Sequence, residues 1–195
     1  MNRRNFLALP FALPLIHSCK RSGSANVRLD PALAALIPPE TKMIVGAKLE
    51  DLRKLPVYQR HFQNRFDEPM ERVAKQTGLD PRKDLWELLA CSDGKDSVLM
   101  GRGRFMVSDL EPRLTAEGAS RFQYKTYNLF GDERNAGFFM NSSTALVGAT
   151  PMLKRIVDSR DIQAQGVPPK LSEMLEAVPK TAQFWAVFEG SAIDL

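Results

Sequence analysis

Histidine and cysteine are scarce in this chain of 195 residues, two of each, at His17, His61, Cys19 and Cys91. With so few ligands the sequence predicts no metal site, and it offers no cofactor motif. An Asp/Glu-rich metal loop, a Cys-x-x-Cys pair and a nucleophile elbow are missing too, so no metal, redox or acyl-transfer signature marks a catalytic centre. Long apolar runs are absent as well. The run Phe6 to Ile16 holds eleven residues and contains Pro10 and Pro14, whereas a membrane-spanning helix needs roughly 20 apolar residues. Charge of one sign is also lacking. Setting aside Arg3 and Arg4, the 27 basic residues become 25 against 23 acidic ones. Interspersed charges of that kind do not build the single-sign face that steers a protein to phosphate backbones, so nucleic acid is not an expected partner.

What is present is the composition of a folded globule, 44% apolar and 26% charged, in a length suited to one domain. The first residues are organised differently. A charged pair, the short apolar run, then small or polar residues and a cysteine form the layout of a secretory signal, predicted over residues 1–18. Arg3-Arg4-Asn5-Phe6-Leu7 resembles the twin-arginine export signal, with Arg3, Arg4, Phe6 and Leu7 at its key positions. A general secretory signal, in which the arginines merely supply the positive end, is the alternative. Ile16-His17-Ser18-Cys19 resembles a lipobox, with His17 at a position that commonly holds Ala, Ser or Thr. The resemblance implies a diacylglycerol on the Cys19 sulfur. Buried acyl chains, at about 0.8 kcal/mol per methylene, would then hold the chain to a membrane. Residues 19–34 read as the lipidated cysteine and a flexible tether, starting Lys20-Arg21-Ser22-Gly23-Ser24. The expected location is the cell envelope, anchored by lipid on the periplasmic or outer side. With Cys19 lipidated, Cys91 is left as a small buried hydrophobe; a Cys19 to Cys91 disulfide requires a leader that is uncleaved, or cleaved without lipid attachment.

Residues 35–195 read as one α+β domain, an antiparallel strand meander with helices packed on one face. Met43 to Leu49 has the pattern of a strand. Pro56 opens a helix through Leu55, Tyr58, Phe62 and Phe66, and a second short helix follows Pro69 and ends at Gly78. Leu85 to Cys91 and Ser97 to Met100 pair across Ser92-Asp93-Gly94-Lys95. Ser108 and Glu111 stand at capping-box spacing at the start of a helix with Leu110 and Leu114 on its inner face. Arg121 to Phe130, Ala136 to Met140 and Thr144 to Ala149 read as three consecutive strands. Thr150 as cap and Pro151 at the first position start another helix. Leu171, Met174, Leu175 and Val178 repeat the helical spacing, and Gln183 to Phe188 reads as a last strand. Pro39 to Val45 and Pro179 to Trp185 share Pro, Thr and an apolar strand, and Leu49 to Leu52 resembles Ala192 to Leu195. These parallels raise the expectation of a second repeat starting near residue 179.

Thr77-Gly78-Leu79-Asp80-Pro81-Arg82-Lys83-Asp84-Leu85, with Ser92-Asp93-Gly94-Lys95 and Gly101-Arg102-Gly103-Arg104-Phe105, resembles bacterial exported proteins of unknown function. That resemblance implies export and the fold, and brings no activity or cofactor. Gly101 to Arg104 offers amides and guanidinium groups to an anion, but lacks the lysine and following helix of a phosphate loop, and reads better as a strand end. The aromatics Phe122, Tyr124, Tyr127 and Phe130 either line a ligand groove or cover both faces of one strand. Two functional readings remain. One is a tethered, non-catalytic protein that binds an envelope partner or an apolar ligand between sheet and helices. The other is an exported hydrolase using His61 with a nearby acid or serine. The intact mass of the membrane-extracted chain is expected to correspond to cleavage before Cys19 plus acyl chains. A Cys19→Ala variant should lose the acyl mass and wash free of membranes.

Overall fold

The computed structural model describes residues 27–61, 63–161 and 166–190. Arg3, Arg4, Phe6, Leu7, Cys19 and the Ala192 to Leu195 segment of the suspected repeat lie outside them. In chain order the elements are α1 (Pro31–Ala34), β1 (Met43–Lys48), α2 (Leu49–Leu52), α3 (Pro56–His61), α4 (Gln63–Thr77), α5 (Pro81–Asp84), β2 (Leu85–Ser92) and β3 (Ser97–Gly103). Then come α6 (Val107–Ala116), β4 (Arg121–Tyr124), β5 (Tyr127–Gly131), β6 (Asn135–Asn141), β7 (Thr144–Ala149), α7 (Thr150–Asp161), α8 (Pro169–Glu176) and β8 (Phe184–Phe188). The strands form one antiparallel sheet in the order β4-β5-β6-β7-β3-β2-β1-β8. The fold is α+β, as the alternation of strand runs and helices predicts.

Alternate residues of each strand point to opposite faces of the sheet. Ile44, Leu89, Cys91, Val98, Met100, Leu146 and Phe138 all point one way and are buried. They meet Leu33 from α1, Met152, Leu153 and Ile156 from α7, and Leu171 and Leu175 from α8, in one continuous core. Each fully buried Leu or Ile contributes about 1.5–3 kcal/mol relative to exposure, so this face is the main source of stability. Gly46 has its place here because Trp185 is its cross-strand neighbour. A Cβ on Gly46 would stand 2.2 Å from the Trp185 ring, which is itself 6% exposed.

The β2–β3 hairpin is tied to α7 by charge. Asp93 accepts the amides of Lys95 and Asp96, each at 2.8 Å, and pairs with Arg155 at 2.8 Å. Arg155 also reaches Glu40 at 2.8 Å and Asp96 at 3.5 Å. Gly94, at φ 93°, completes the turn as its Asp-Gly pair predicts.

Four local expectations are corrected. The stretch Arg121 to Phe130 is a hairpin, β4 and β5, with Tyr124 facing Tyr127 across a two-residue turn and Lys125 at φ 51°. A Lys-Thr turn carries none of the Gly or Asn that usually announces positive φ. Pro69 does not divide two helices but lies exposed inside α4. Phe62 lies outside the described residues, and α4 is described from Gln63 through Pro69 to Thr77. Helix α6 starts at Val107 with Met106 at its N-cap and no side-chain cap; the Ser108 hydroxyl donates to Asp109 instead of closing a box with Glu111. Thr150 is the first residue of α7, and its hydroxyl donates to the Asp132 carbonyl at 2.7 Å rather than capping an amide.

Gly46→Ala is expected to cost about 1–3 kcal/mol, the usual range for an overpacked core, measured as a lower urea midpoint followed by Trp185 fluorescence. A pH series tests the Asp93 tie. Burial opposes the charge on Asp93, but the amides of Asp96 and Lys95 and the Arg155 cation outweigh it and hold the carboxyl below its ordinary range. A depressed folded value means that this stabilisation is present above about pH 4 and is lost as pH falls through the folded value. The urea midpoint should therefore drop on acidification below about pH 4. Asp93→Asn should be less stable at neutral pH and have a shallower acid limb.

Candidate functional site

The second face of the sheet is apolar too. Between the buried residues of β2, β3, β6 and β7 come Leu88, Leu99, Gly101, Gly137, Phe139, Ala145 and Val147, pointing away from the core. Helices α4 and α6 stand over this face without resting flat on it. The space left between is a cavity of about 630 Å³, within the usual range for a small-molecule site. Its ceiling is Val73 and Leu79 on the α4 side and Leu110 and Leu114 on α6; Leu85 and Phe105 close one end and Phe130 contributes from β5. Thr77 and Asn135 are the only polar side chains on the wall among the described residues. The Thr77 hydroxyl is already engaged, donating to the Val73 carbonyl at 2.8 Å and accepting the Leu79 amide at 3.1 Å.

Glycine and alanine create the room. Gly101, Gly137 and Ala145 occupy three adjacent central strands where larger residues would fill the space. Three larger side chains on the cavity wall remain in solvent: Val73 at 39% exposure, Leu99 at 40% and Val147 at 53%. Among the described residues no titratable group lines this open apolar pocket. What it can do is withdraw apolar surface from water, at about 25 cal/mol per Å² buried.

The sequence-predicted candidates fall elsewhere. His61 is exposed at the end of α3, and no hydrogen bond to a serine or carboxylate reaches it among the described residues. Cys91 is fully buried, and burial pushes its thiol up to about 12, far from a reactive thiolate. The Gly101 to Arg104 stretch is a strand end. Arg102 is occupied by Asp30 at 3.2 Å, the Ser143 hydroxyl at 2.7 Å and Thr144 at 2.8 Å. Arg104 pairs with Asp84 at 2.9 Å. Among the described residues no group of three or more His, Cys, Asp or Glu is placed to hold a metal. No helix of the described residues is long and apolar enough to cross a membrane. Of the four aromatics, Phe122, Tyr124 and Tyr127 pack against the core, and Phe130 lines the cavity.

The lining of the cavity was missed in sequence, though a signal exists. Val98-Leu99-Met100 and Ala145-Leu146-Val147 are apolar without alternation, the pattern of strands covered on both faces.

No family model and no curated protein matches the chain. Among solved structures it is similar to a protein named TP0453. In crystal form III the likeness has 12% identity and a TM-score of 0.49, and covers 84% of this chain and 65% of that one. In crystal form I the values are 12% identity, a TM-score of 0.44, and 80% and 60% coverage. The chain thus spans slightly under two thirds of the length of the protein it resembles.

Proposed function

We propose that this chain is an exported, lipid-tethered binding protein that holds an apolar ligand between its sheet and the helices α4 and α6. The observation that carries the binding role is the cavity itself: about 630 Å³, walled almost entirely by carbon, with Val73, Leu99 and Val147 left wet at its edge. An empty cleft keeps that surface in water, and an apolar occupant removes it. Burial of the core on the opposite face makes the fold independent of the occupant, so a ligand can enter and leave without unfolding the sheet. The tether rests on the twin-arginine-like leader and the lipobox-like Cys19, which would keep such a binder at a membrane surface where apolar ligands are concentrated.

The test uses N-phenyl-1-naphthylamine, a neutral fluorophore that brightens in apolar surroundings. The wild-type chain should bind it saturably. Val147→Lys places a cation on the wall at a position exposed enough to leave folding intact. Its affinity should fall by about tenfold, equivalent to about 1.4 kcal/mol, with an unchanged urea midpoint. Equal binding by both proteins would defeat the assignment of the cavity as the site.

A further inference from the structure

Beside the apolar cavity, between α6 and the turn that ends α4, lies a second hollow of about 260 Å³ that shares Thr77, Leu79 and Leu110 with it. Its character is different. It adds Arg104, Arg113, Asp84 and Asp109 to the shared residues. Three of these four charges are already engaged. Asp84 takes Arg104 on one oxygen at 2.9 Å and the Asp80 amide on the other at 2.9 Å. Asp109 lies in the first turn of α6, where the helix dipole favours an anion, and accepts the Ser108 hydroxyl at 3.1 Å. Arg113 is the exception: among the described residues its guanidinium has no ion pair and no hydrogen-bond acceptor.

Arg113 is exposed, and its side chain runs beside the turn that ends α4. Its guanidinium lies against Gly78, where an added Cβ would come within 2.8 Å of Nη1. Gly78 itself is at φ 80°, a conformation that favours glycine. The chain therefore places a cation that makes no ion pair among the described residues at the polar margin of a carbon-walled cavity. An amphiphile with an apolar tail and an anionic head matches both halves at once. A neutral apolar molecule would leave Arg113 unused, and a small polar anion would leave the cavity wet.

On the reading of the cavity as a binding site, we propose that its ligand is an acyl chain ending in an anionic group, the tail in the cavity and the head on Arg113. The head can be the carboxylate of a free fatty acid or the phosphodiester of a single-chain phospholipid, since a guanidinium forks onto either.

The experiment titrates the full chain in detergent-free buffer with the fluorescent fatty acid cis-parinaric acid and with its methyl ester, which has the same tail and no charge. Wild type is expected to bind the acid about three- to tenfold more tightly than the ester, the modest gain of a solvent-exposed charge pair. Arg113→Gln should bind both as weakly as wild type binds the ester, whereas Arg113→Lys should keep a preference for the acid. Displacement of the probe by palmitate or by lysophosphatidylglycerol then separates carboxylate from phosphodiester. If wild type binds acid and ester equally, or Arg113→Gln keeps the preference, the anionic head is wrong while the cavity reading stands. If wild type binds neither, both fall together.

Discussion

A sheet whose central strands are apolar on both sides has to be covered twice, and the architecture follows from that constraint. Strands β3 and β7 sit in the middle of the sheet and carry aliphatic side chains at successive positions. One cover is complete: α1, α7 and α8 pack onto Leu89, Met100 and Leu146 with almost no exposed remainder. The other is partial, because α4 and α6 bridge over Gly101, Gly137 and Ala145 instead of descending onto them. Small residues on the strands and larger ones on the helices produce an arch, and the space beneath it is the most distinctive chemical feature of the molecule. The division of labour is physical. The well-packed face is the main source of stability, and the loosely covered face leaves Val73, Leu99 and Val147 in solvent.

The same arrangement explains how much could be read in advance. Short apolar runs bounded by polar residues, such as Met43 to Lys48, and turns with the right residues, such as Asp93-Gly94, are local events, and local rules locate them. The fold class followed from their order. The hairpin at Lys125 escaped because the backbone there adopts positive φ without glycine, held by the pairing of Tyr124 with Tyr127. The start of α6 escaped for a related reason: the Ser108 hydroxyl donates to the neighbouring Asp109 carboxylate, and no side chain accepts an amide at the start of the helix.

The cavity is a harder case, since no single segment contains it. Val73, Leu110, Gly137 and Val147 come from four elements, and only the three-dimensional arrangement makes them one wall. Sequence periodicity could say that β3 and β7 need two covers, but not that one would be left with a gap. Conversely, the residues that look chemical in a linear reading, His61, Cys91 and Arg102, are an exposed helix end, a packed thiol and a clamp between α1 and the β6–β7 turn. A residue type suited to chemistry counts only where the fold leaves it accessible and unspent.

The position of β8 has a consequence for how the molecule is made. β8 is the last described strand, yet it pairs with β1, the first, and forms the border of the sheet. Until β8 emerges, β1 presents an unpaired backbone edge and Gly46 has no indole above it. Synthesis must therefore run nearly to the end of the described chain before the sheet can close, which places this protein among those whose slow, long-range contacts come late. During that interval the nascent chain carries an open strand edge next to apolar surface, the combination most prone to wrong pairing. Pairing of β8 moves the sheet border from β1 to the last described strand, and the indole of Trp185 settling onto Gly46 marks that moment.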